Sequence, residues 1–295
     1  MNEFKSYHPI VNFTYFLFAI WLSCFFMHPV CLGISFVCSV AYSVMLKGIK
    51  QLKTNLKLML PVVLFTALIN ALFNHRGATI LIYLPSGNPL TFEAIIYGVC
   101  ASIMIASVLC HFICYNEVMT SDKFIYLFGK IMPSLSLIIS MTFRFVPHFA
   151  NEFKSVINAQ KCMGKDIAKG NFRLRLKNTL NVLSIMTTKA FENSIDTADS
   201  MKARGYGLSK RTSFSTFKFS KRDFVSLIYL LVVTAYIFVG SINGKMSFTF
   251  YPSISKLIYN TYTITVFIAY LMLCMFPILI EIREVIKWKY LRSKI

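Results

Sequence analysis

Acidic side chains are scarce in this chain, and the scarcity limits the functions that it can have. Its 295 residues contain 12 Asp and Glu against 31 Lys and Arg. The apolar runs contain no carboxylate before Glu281, which stands at the end of the last run. Because a proton-coupled carrier usually needs a buried carboxylate, ion-coupled transport by this chain is disfavoured.

Sequence motifs for zinc, disulfides and nucleotides are also missing. The 8 cysteines form no CxxC pair. Most of them lie in or beside apolar runs, where Cys behaves as a small hydrophobe. No Gly-rich phosphate loop with its Lys occurs, so we expect this chain to bind no ATP and no other cofactor. The sequence contains no pair of acidic and basic side chains that would indicate an active site. The sequence therefore predicts a non-catalytic protein.

Two groups of side chains are candidate metal or substrate ligands. His75, Arg76 and Glu93 lie in or beside one polar loop, and His111 and Cys114 share a helical face at a spacing of three. Turn and helix-cap roles are favoured for the first group. Packing is favoured for the second, because no third ligand is in view. We therefore predict no metal site.

Long apolar runs account for the 56% hydrophobic content. Several approach the ~20 residues that span a bilayer, and the N-terminal run lacks a basic flank and a cleavage site, so it is read as a span. We predict an all-α polytopic membrane protein in the cell membrane. Its six predicted spans are Val11–Met27, Val30–Leu46, Leu58–Phe73 (with Pro61 in its first turn), Ala94–Tyr115, Phe224–Val239 and Leu257–Ile280.

The distribution of positive charge predicts the orientation of these spans. The formal net charge of +19 is typical of a nucleic-acid-binding protein or of a membrane protein with basic cytoplasmic loops. Residues 1–11, 47–57, 116–222 and 281–295 share one side and hold 28 of the 31 Lys and Arg residues. Only Arg76, Lys245 and Lys256 lie on the other side. We therefore expect both termini to be cytoplasmic, with the bilayer as partner and no nucleic acid.

This pattern divides the chain into a four-span bundle (1–115), a cytoplasmic or interfacial region (116–222) and a two-span region with a basic tail (223–295). In the middle region, Ile131–Val146 is apolar but contains Arg144 and prolines. We expect it to lie in or under the membrane interface. Its apolar stripe continues to Met163 on a helix that stops at Gly164.

A second helix is predicted from about Thr179 to Arg204. Its apolar residues recur at spacings of three and four, and Gly205 is suited to the left-handed conformation that ends a helix. Arg204 has two interpretations. It interacts with the helix dipole, or it forms a bidentate pair with a carboxylate of another protein. Periodicity does not choose between them.

The segment Met201–Gly207, MKARGYG, resembles the second Ala-Arg-Gly signature of the transmembrane T component of energy-coupling factor (ECF) transporters. Further similar stretches follow the same order along nearly the whole chain. They are Asn70–Gly77, Pro133–Leu135 and Phe143–Pro147, and His8-Pro9 stands where the family often has an Asp-Pro pair. The resemblance implies a subunit that links two cytoplasmic ATPases, which use the ATP, to one small membrane protein that binds a vitamin or metal ion.

The resemblance also implies that two coupling helices present Ala-Arg-Gly turns to the ATPases. Ala203, Arg204 and Gly205 match the second turn. Around the first turn, Ala159, Gln160 and Gly164 fit, but Cys162-Met163 stands where Ala-Arg is expected. Lys161 or Lys165 then supplies a point charge without the planar fork of Arg. This departure predicts unequal docking on two non-identical ATPases.

Phe149 and Met186 are predicted to contact the substrate-binding subunit, since methionine-rich surfaces adapt to several partners. Helix–helix packing is the alternative for both residues. The rival functions are a self-sufficient permease or channel with its own substrate pathway, a permease made by two copies of this chain, and a membrane enzyme. The first needs polar groups along the spans, and few exist here.

Overall fold

The structure, a computed structural model, describes residues 3–83, 89–129, 132–208, 217–244, 246, 248–255 and 260–292, without the side chains of residues 133–136. The predicted start of the last span at Leu257, together with Lys245 and Lys256, lies outside these residues. The chain divides into two compact units. Residues 1–124 and 217–295 form the membrane unit, and residues 125–216 form the helical arm.

The described chain is mostly helical, as predicted. In order, its elements are α1 (Glu3–Ser6), α2 (Pro9–Phe25), α3 (Pro29–Lys47), α4 (Ile49–Phe73), β1 (Ile80–Tyr83), β2 (Pro89–Thr91), α5 (Phe92–Val118), α6 (Ser121–Gly129), α7 (Pro133–Cys162), α8 (Phe172–Ala203), α9 (Lys221–Ile242) and α10 (Thr261–Arg292).

Five helices of the membrane unit are long and apolar enough to cross a membrane: α3, α4, α5, α9 and α10. The apolar helix α2 has 17 residues and is shorter, so the sixth span stays a prediction. His8 and His28 begin α2 and α3 in the same way. In each, the imidazole Nδ1 accepts a hydrogen bond of 3.3 Å from the backbone N–H two residues on, and Pro follows at the first helical position.

Two basic stretches that were predicted to lie outside the spans are helical. Helix α4 begins at Ile49 and includes the lysines up to Lys57, and α10 continues to Arg292. Lys and Arg are good helix formers, so the loss of hydrophobic periodicity there did not end the helices. Gly48, with φ of +78°, makes the break between α3 and α4. Pro61 consequently lies inside α4, and its predicted place in the first turn is wrong.

A polar network crosses the core of the membrane unit. The hydroxyl oxygen of Ser35 lies 2.7 Å from those of Ser23 and Ser107 and 3.1 Å from His111 Nε2. The Tyr270 hydroxyl lies 3.2 Å from Ser23 Oγ. Because unpaired polar groups are costly away from water, this network joins α2, α3, α5 and α10 at defined positions. His111 therefore has a structural partner.

The N-terminal segment ties several helix ends together. The buried Glu281 carboxylate accepts hydrogen bonds of 3.2 Å from the backbone N–H groups of Glu3 and Phe4. The Lys123 ammonium of α6 donates to the Lys5 carbonyl oxygen at 2.5 Å. Burial, and then the nearby charge of Lys5, lower the pKa of Lys123 to about 8. These long-range contacts were not predicted, because no local pattern signals them.

The loop between α4 and α5 contains a short antiparallel hairpin, which the all-α prediction did not include. Ile80 pairs with Thr91 and Tyr83 with Pro89. Glu93 accepts hydrogen bonds from both the backbone N–H and the hydroxyl of Thr79. The β-branched residues around Ile80 fit such a pairing, but the run is too short for a sequence pattern to stand out. Glu93 thus holds the loop closed.

The helical arm consists mainly of α7 and α8, which pack against each other. Helix α7 runs without a break through Pro147, and α8 starts at Phe172, earlier than the predicted Thr179. Neither is among the helices apolar enough to span a membrane. Within the described part of the arm, the buried apolar residues are Val156 and Val182. The arm has a small core of its own.

Candidate functional site

Helices α7 and α8 end in the same backbone motif. At the end of α7, Gly164 N–H donates to the Lys161 carbonyl at 3.1 Å and Lys165 N–H to the Gln160 carbonyl at 2.9 Å. At the end of α8, the same two bonds measure 2.9 Å and 3.0 Å and run from Gly205 to Lys202 and from Tyr206 to Met201. This is the Schellman arrangement, which needs a left-handed residue after the cap.

The two glycines take that conformation. The φ angle is +74° at Gly164 and +79° at Gly205. The preceding cap residues also correspond, since Met163 has φ and ψ of −83° and 11° and Arg204 has −84° and 10°. The structure therefore supports the alignment of the two helix ends, position for position, that the sequence suggested.

The chemistry presented at the two ends differs. Arg204 projects a guanidinium from the α8 cap, whereas Met163, 60% exposed, projects a thioether from the α7 cap. Ala203 precedes Arg204 and Cys162 precedes Met163, and both of these preceding side chains are exposed. Among the described residues, Arg204 has no carboxylate within ion-pair distance. The α8 end is therefore ready to bind an external acid, and the α7 end lacks the fork that binds one in a bidentate way.

A cleft of about 520 Å³ opens between α7 and α8 beside Arg204. It is lined from α7 by Met141, Arg144, Phe145 and His148, and from α8 by Asn193, Asp196, Thr197, Ser200, Met201 and Arg204. The half-buried residues form the floor of the cleft: Met141, Phe145, Asn193, Thr197 and Met201. The exposed residues form its rim: Arg144, His148, Asp196, Ser200 and Arg204. Sequence reasoning singled out Arg144 within a motif but assigned it no place in a site. Its helix position alone does not reveal that α8 brings Arg204 to the same cleft.

Glu152 lies in the seam between α7 and α8 beside the cleft, close to two basic side chains. Its Oε1 lies 3.7 Å from His148 Nε2 and 4.0 Å from Lys189 Nζ. Asp196, on the cleft rim, forms no ion pair with Arg144 or Arg204. The two arginines of the cleft consequently keep their charge available to a partner.

Three of the predicted contact residues lie along the seam between α7 and α8. Phe149 and Met186 are half-buried, and the Phe149 ring lies 5.8 Å from that of Phe145. Gln160 is 7% exposed, so its side chain points into the arm. The packing alternative for Phe149 and Met186 agrees with these positions, while their contact with another subunit stays a prediction.

Four of the residues considered as metal or substrate ligands have structural partners, namely His75, Glu93, His111 and Cys114. His75 Nδ1 lies 3.2 Å from the Pro89 carbonyl oxygen, and Cys114 Sγ lies 3.8 Å from the Ser39 carbonyl oxygen. Within the described ranges no group of three His, Cys, Asp or Glu side chains is arranged to hold a metal ion. The arm and its two caps are thus the candidate site.

The sequence profile of the CbiQ family, described as a cobalt transport protein, matches residues 1–214. The chain belongs to the CbiQ family. The match covers most of the chain and includes α7, α8 and both glycine caps. The resemblance drawn from the Ala-Arg-Gly segment is confirmed at the level of the family.

Curated relatives of this CbiQ-family chain include the energy-coupling factor transporter transmembrane proteins EcfT of Staphylococcus aureus and Lactococcus lactis. The first is 34% identical over 111 residues, which are 37% of this chain and 41% of the relative. The second is 29% identical over 108 residues, 36% of this chain and 41% of the relative. The matched stretch spans about two fifths of the length of each of these relatives.

Proposed function

We propose that this chain is the transmembrane energy-coupling subunit of an ECF-type importer. In this role it links two cytoplasmic ATPase subunits to one small membrane protein that binds a vitamin or metal ion. The chain binds no cofactor itself, and its partners bind and hydrolyse the ATP. Its membership of the CbiQ family and its EcfT relatives favour this role.

The observation that carries the proposal is the pair of matching caps at the ends of α7 and α8. A Schellman cap fixes the backbone around one projecting side chain, so Arg204 leaves α8 in a defined direction. Arg binds a carboxylate through two parallel hydrogen bonds. A side chain held in this way loses less freedom on binding than one on a loose loop.

The exposed apolar surface of the arm also fits a protein with partners. Large apolar side chains that face outward on α7 and α8 include Ile138, Phe143, Phe153, Phe172, Leu180, Leu183, Phe191 and Ile195. Apolar surface of this kind marks contact with protein or membrane. In the proposed complex, ATP-driven movement of the ATPases passes along α7 and α8 to the substrate-binding subunit. Phe149 and Met186 are the candidate contacts there.

The unequal caps make the two docking events unequal. Arg204, flanked by Ala203 and Gly205, binds an acidic groove of one ATPase. At the other cap Met163 replaces Arg, so Lys161 is left as the point charge beside Gly164. Two non-identical ATPases are the partners that match such a difference.

The proposed topology has six spans, with both termini and the arm on the cytoplasmic side. Helix α2, 17 residues long, lies at the lower end of the range that crosses a bilayer. The concentration of Lys and Arg in residues 47–57, 116–222 and 281–295 favours this orientation.

Co-purification tests the proposed assembly. The tagged chain is expressed with untagged ATPases and the small membrane protein of its own transporter, and subunits are counted by native mass spectrometry. We expect one copy of this chain, two ATPases and one small membrane protein. A complex of two copies of this chain without ATPases contradicts the proposal and favours a permease with its own pathway.

A further inference from the structure

We infer that Arg144 and Arg204 bind the same acidic side chain of the docked ATPase. The docking site on this side is then the cleft between α7 and α8 and not the α8 cap alone. The inference rests on the proposed function, because it takes the ATPase as the partner, but it concerns a residue of α7 that this function does not require.

The cleft combines apolar and charged lining residues. Met141 and Phe145 of α7 and Met201 of α8 are half-buried and form an apolar floor. The exposed Arg144 and Arg204 belong to the rim. Apolar walls with a few polar groups are typical of binding sites. An apolar side chain next to an acidic one fits this arrangement.

The charges around the cleft favour an acidic occupant. The lining of the cleft contains two guanidinium groups and one carboxylate, that of Asp196, and no ion pair joins Asp196 to either arginine. His148 is engaged with Glu152 at 3.7 Å. The rim therefore keeps a positive excess, which attracts a carboxylate. The apolar floor strengthens such a pair by reducing its contact with water.

The seam between the helices is closed at the opposite end. Near the α7 cap, Val156 and Gln160 of α7 and Asn178 and Val182 of α8 are all buried, with Gln160 and Asn178 at 7% and 6% exposure. The Asn178 side-chain amide also donates to the Asp166 carbonyl oxygen at 3.1 Å. The seam thus opens beside Arg204 and closes beside Met163. An open cleft occurs at the end that has the arginines.

A double-mutant cycle in the full-length chain tests the inference. Arg144→Ala, Arg204→Ala and the double variant are placed in nanodiscs and titrated with the purified ATPase pair of the same transporter. We expect each single change to raise Kd about tenfold or more. The Kd of the double variant should be close to that of the single variant that binds more weakly, because removal of either arginine already breaks the shared pair.

Two further variants control for fold and for charge. Lys154→Ala removes a cation from an exposed position on α7 outside the cleft, and we expect Kd to change by less than about twofold. Arg144→Lys keeps the positive charge but loses the planar guanidinium fork, so we expect its affinity to lie between those of Arg144→Ala and the wild type. Circular dichroism and size-exclusion profiles equal to wild type show that the variants are folded.

The outcomes separate this inference from the proposed function. If Arg204→Ala has wild-type affinity, the proposed docking fails. If Arg204→Ala is weak while Arg144→Ala matches Lys154→Ala, only the shared site is overturned. The shared site is also overturned if the fold-increase in Kd of the double variant equals the product of the two single fold-increases, since the two arginines then act independently. Finally, the Arg144→Ala loss should persist in neutral phosphatidylcholine nanodiscs. A loss seen only with anionic phosphatidylglycerol assigns Arg144 to lipid and overturns the inference.

Discussion

Replacement of Gly205 by Ala is expected to weaken ATPase binding, because it strains the cap that aims Arg204. The φ angle of Gly205 is +79°, and a left-handed residue with a Cβ costs about 1–2 kcal/mol. The new Cβ also meets Leu208 Cδ1 at 3.1 Å. Leu208 is an exposed side chain and adds little, since it moves aside easily. If the ATPase binds only the closed cap, this strain of about 1–2 kcal/mol weakens ATPase binding about 5- to 30-fold.

Gly164→Ala is the matched control for this prediction. Gly164 has φ of +74°, and a Cβ added there would meet no atom within 4 Å, so the same backbone strain falls on the cap with Met163. Titration of each variant with the ATPase pair should show the larger loss for Gly205→Ala. Gly205→Asn should recover most of it, since Asn tolerates the left-handed region. Equal losses at both caps, or wild-type affinity of Gly205→Ala, would refute the reasoning.

Three more predictions follow from other parts of the structure. Met163→Arg should tighten ATPase binding roughly tenfold by restoring the missing fork, and an unchanged Kd in the same titration would contradict this. Glu281→Ala should lower the free energy of unfolding by about 1–3 kcal/mol, because two backbone N–H groups lose their acceptor. Glu284→Ala, which removes a 3.3 Å ion pair with the exposed Lys287, should lower the free energy of unfolding by much less than Glu281→Ala in the same denaturation assay. Because the pKa of Lys123 falls to about 8 on folding from 10.5, the unfolded chain binds more protons between these values. Stability should therefore rise with pH across that window, and Lys123→Met should remove this part of the rise in a thermal unfolding series.

Features set by local sequence were predicted well. The apolar runs give the positions of the membrane helices, and Gly164 and Gly205 end their helices in the left-handed conformation that the sequence indicated. Helix ends were less accurate, since the lysines up to Lys57 belong to α4 and residues 282–292 continue α10, although the apolar pattern stops there. A basic helical turn and a basic loop have similar compositions.

Features that depend on distant residues were missed. The bond between Glu281 and the N-terminal backbone joins residues at opposite ends of the chain. The cleft requires α7 and α8 to bring Arg144 and Arg204 together across a turn. No spacing within one helix contains this information, so only a three-dimensional structure reveals that Arg144 lines the same cleft as Arg204.

The most direct test of the account is the Arg204→Glu variant, compared with Lys154→Glu in the complete transporter. Both variants reverse one exposed cation of the arm. We expect both to insert in the membrane, with Arg204→Glu losing ATPase co-purification and substrate uptake and Lys154→Glu keeping both. Wild-type ATPase content and wild-type uptake in Arg204→Glu would contradict the proposal that Arg204 holds the ATPase.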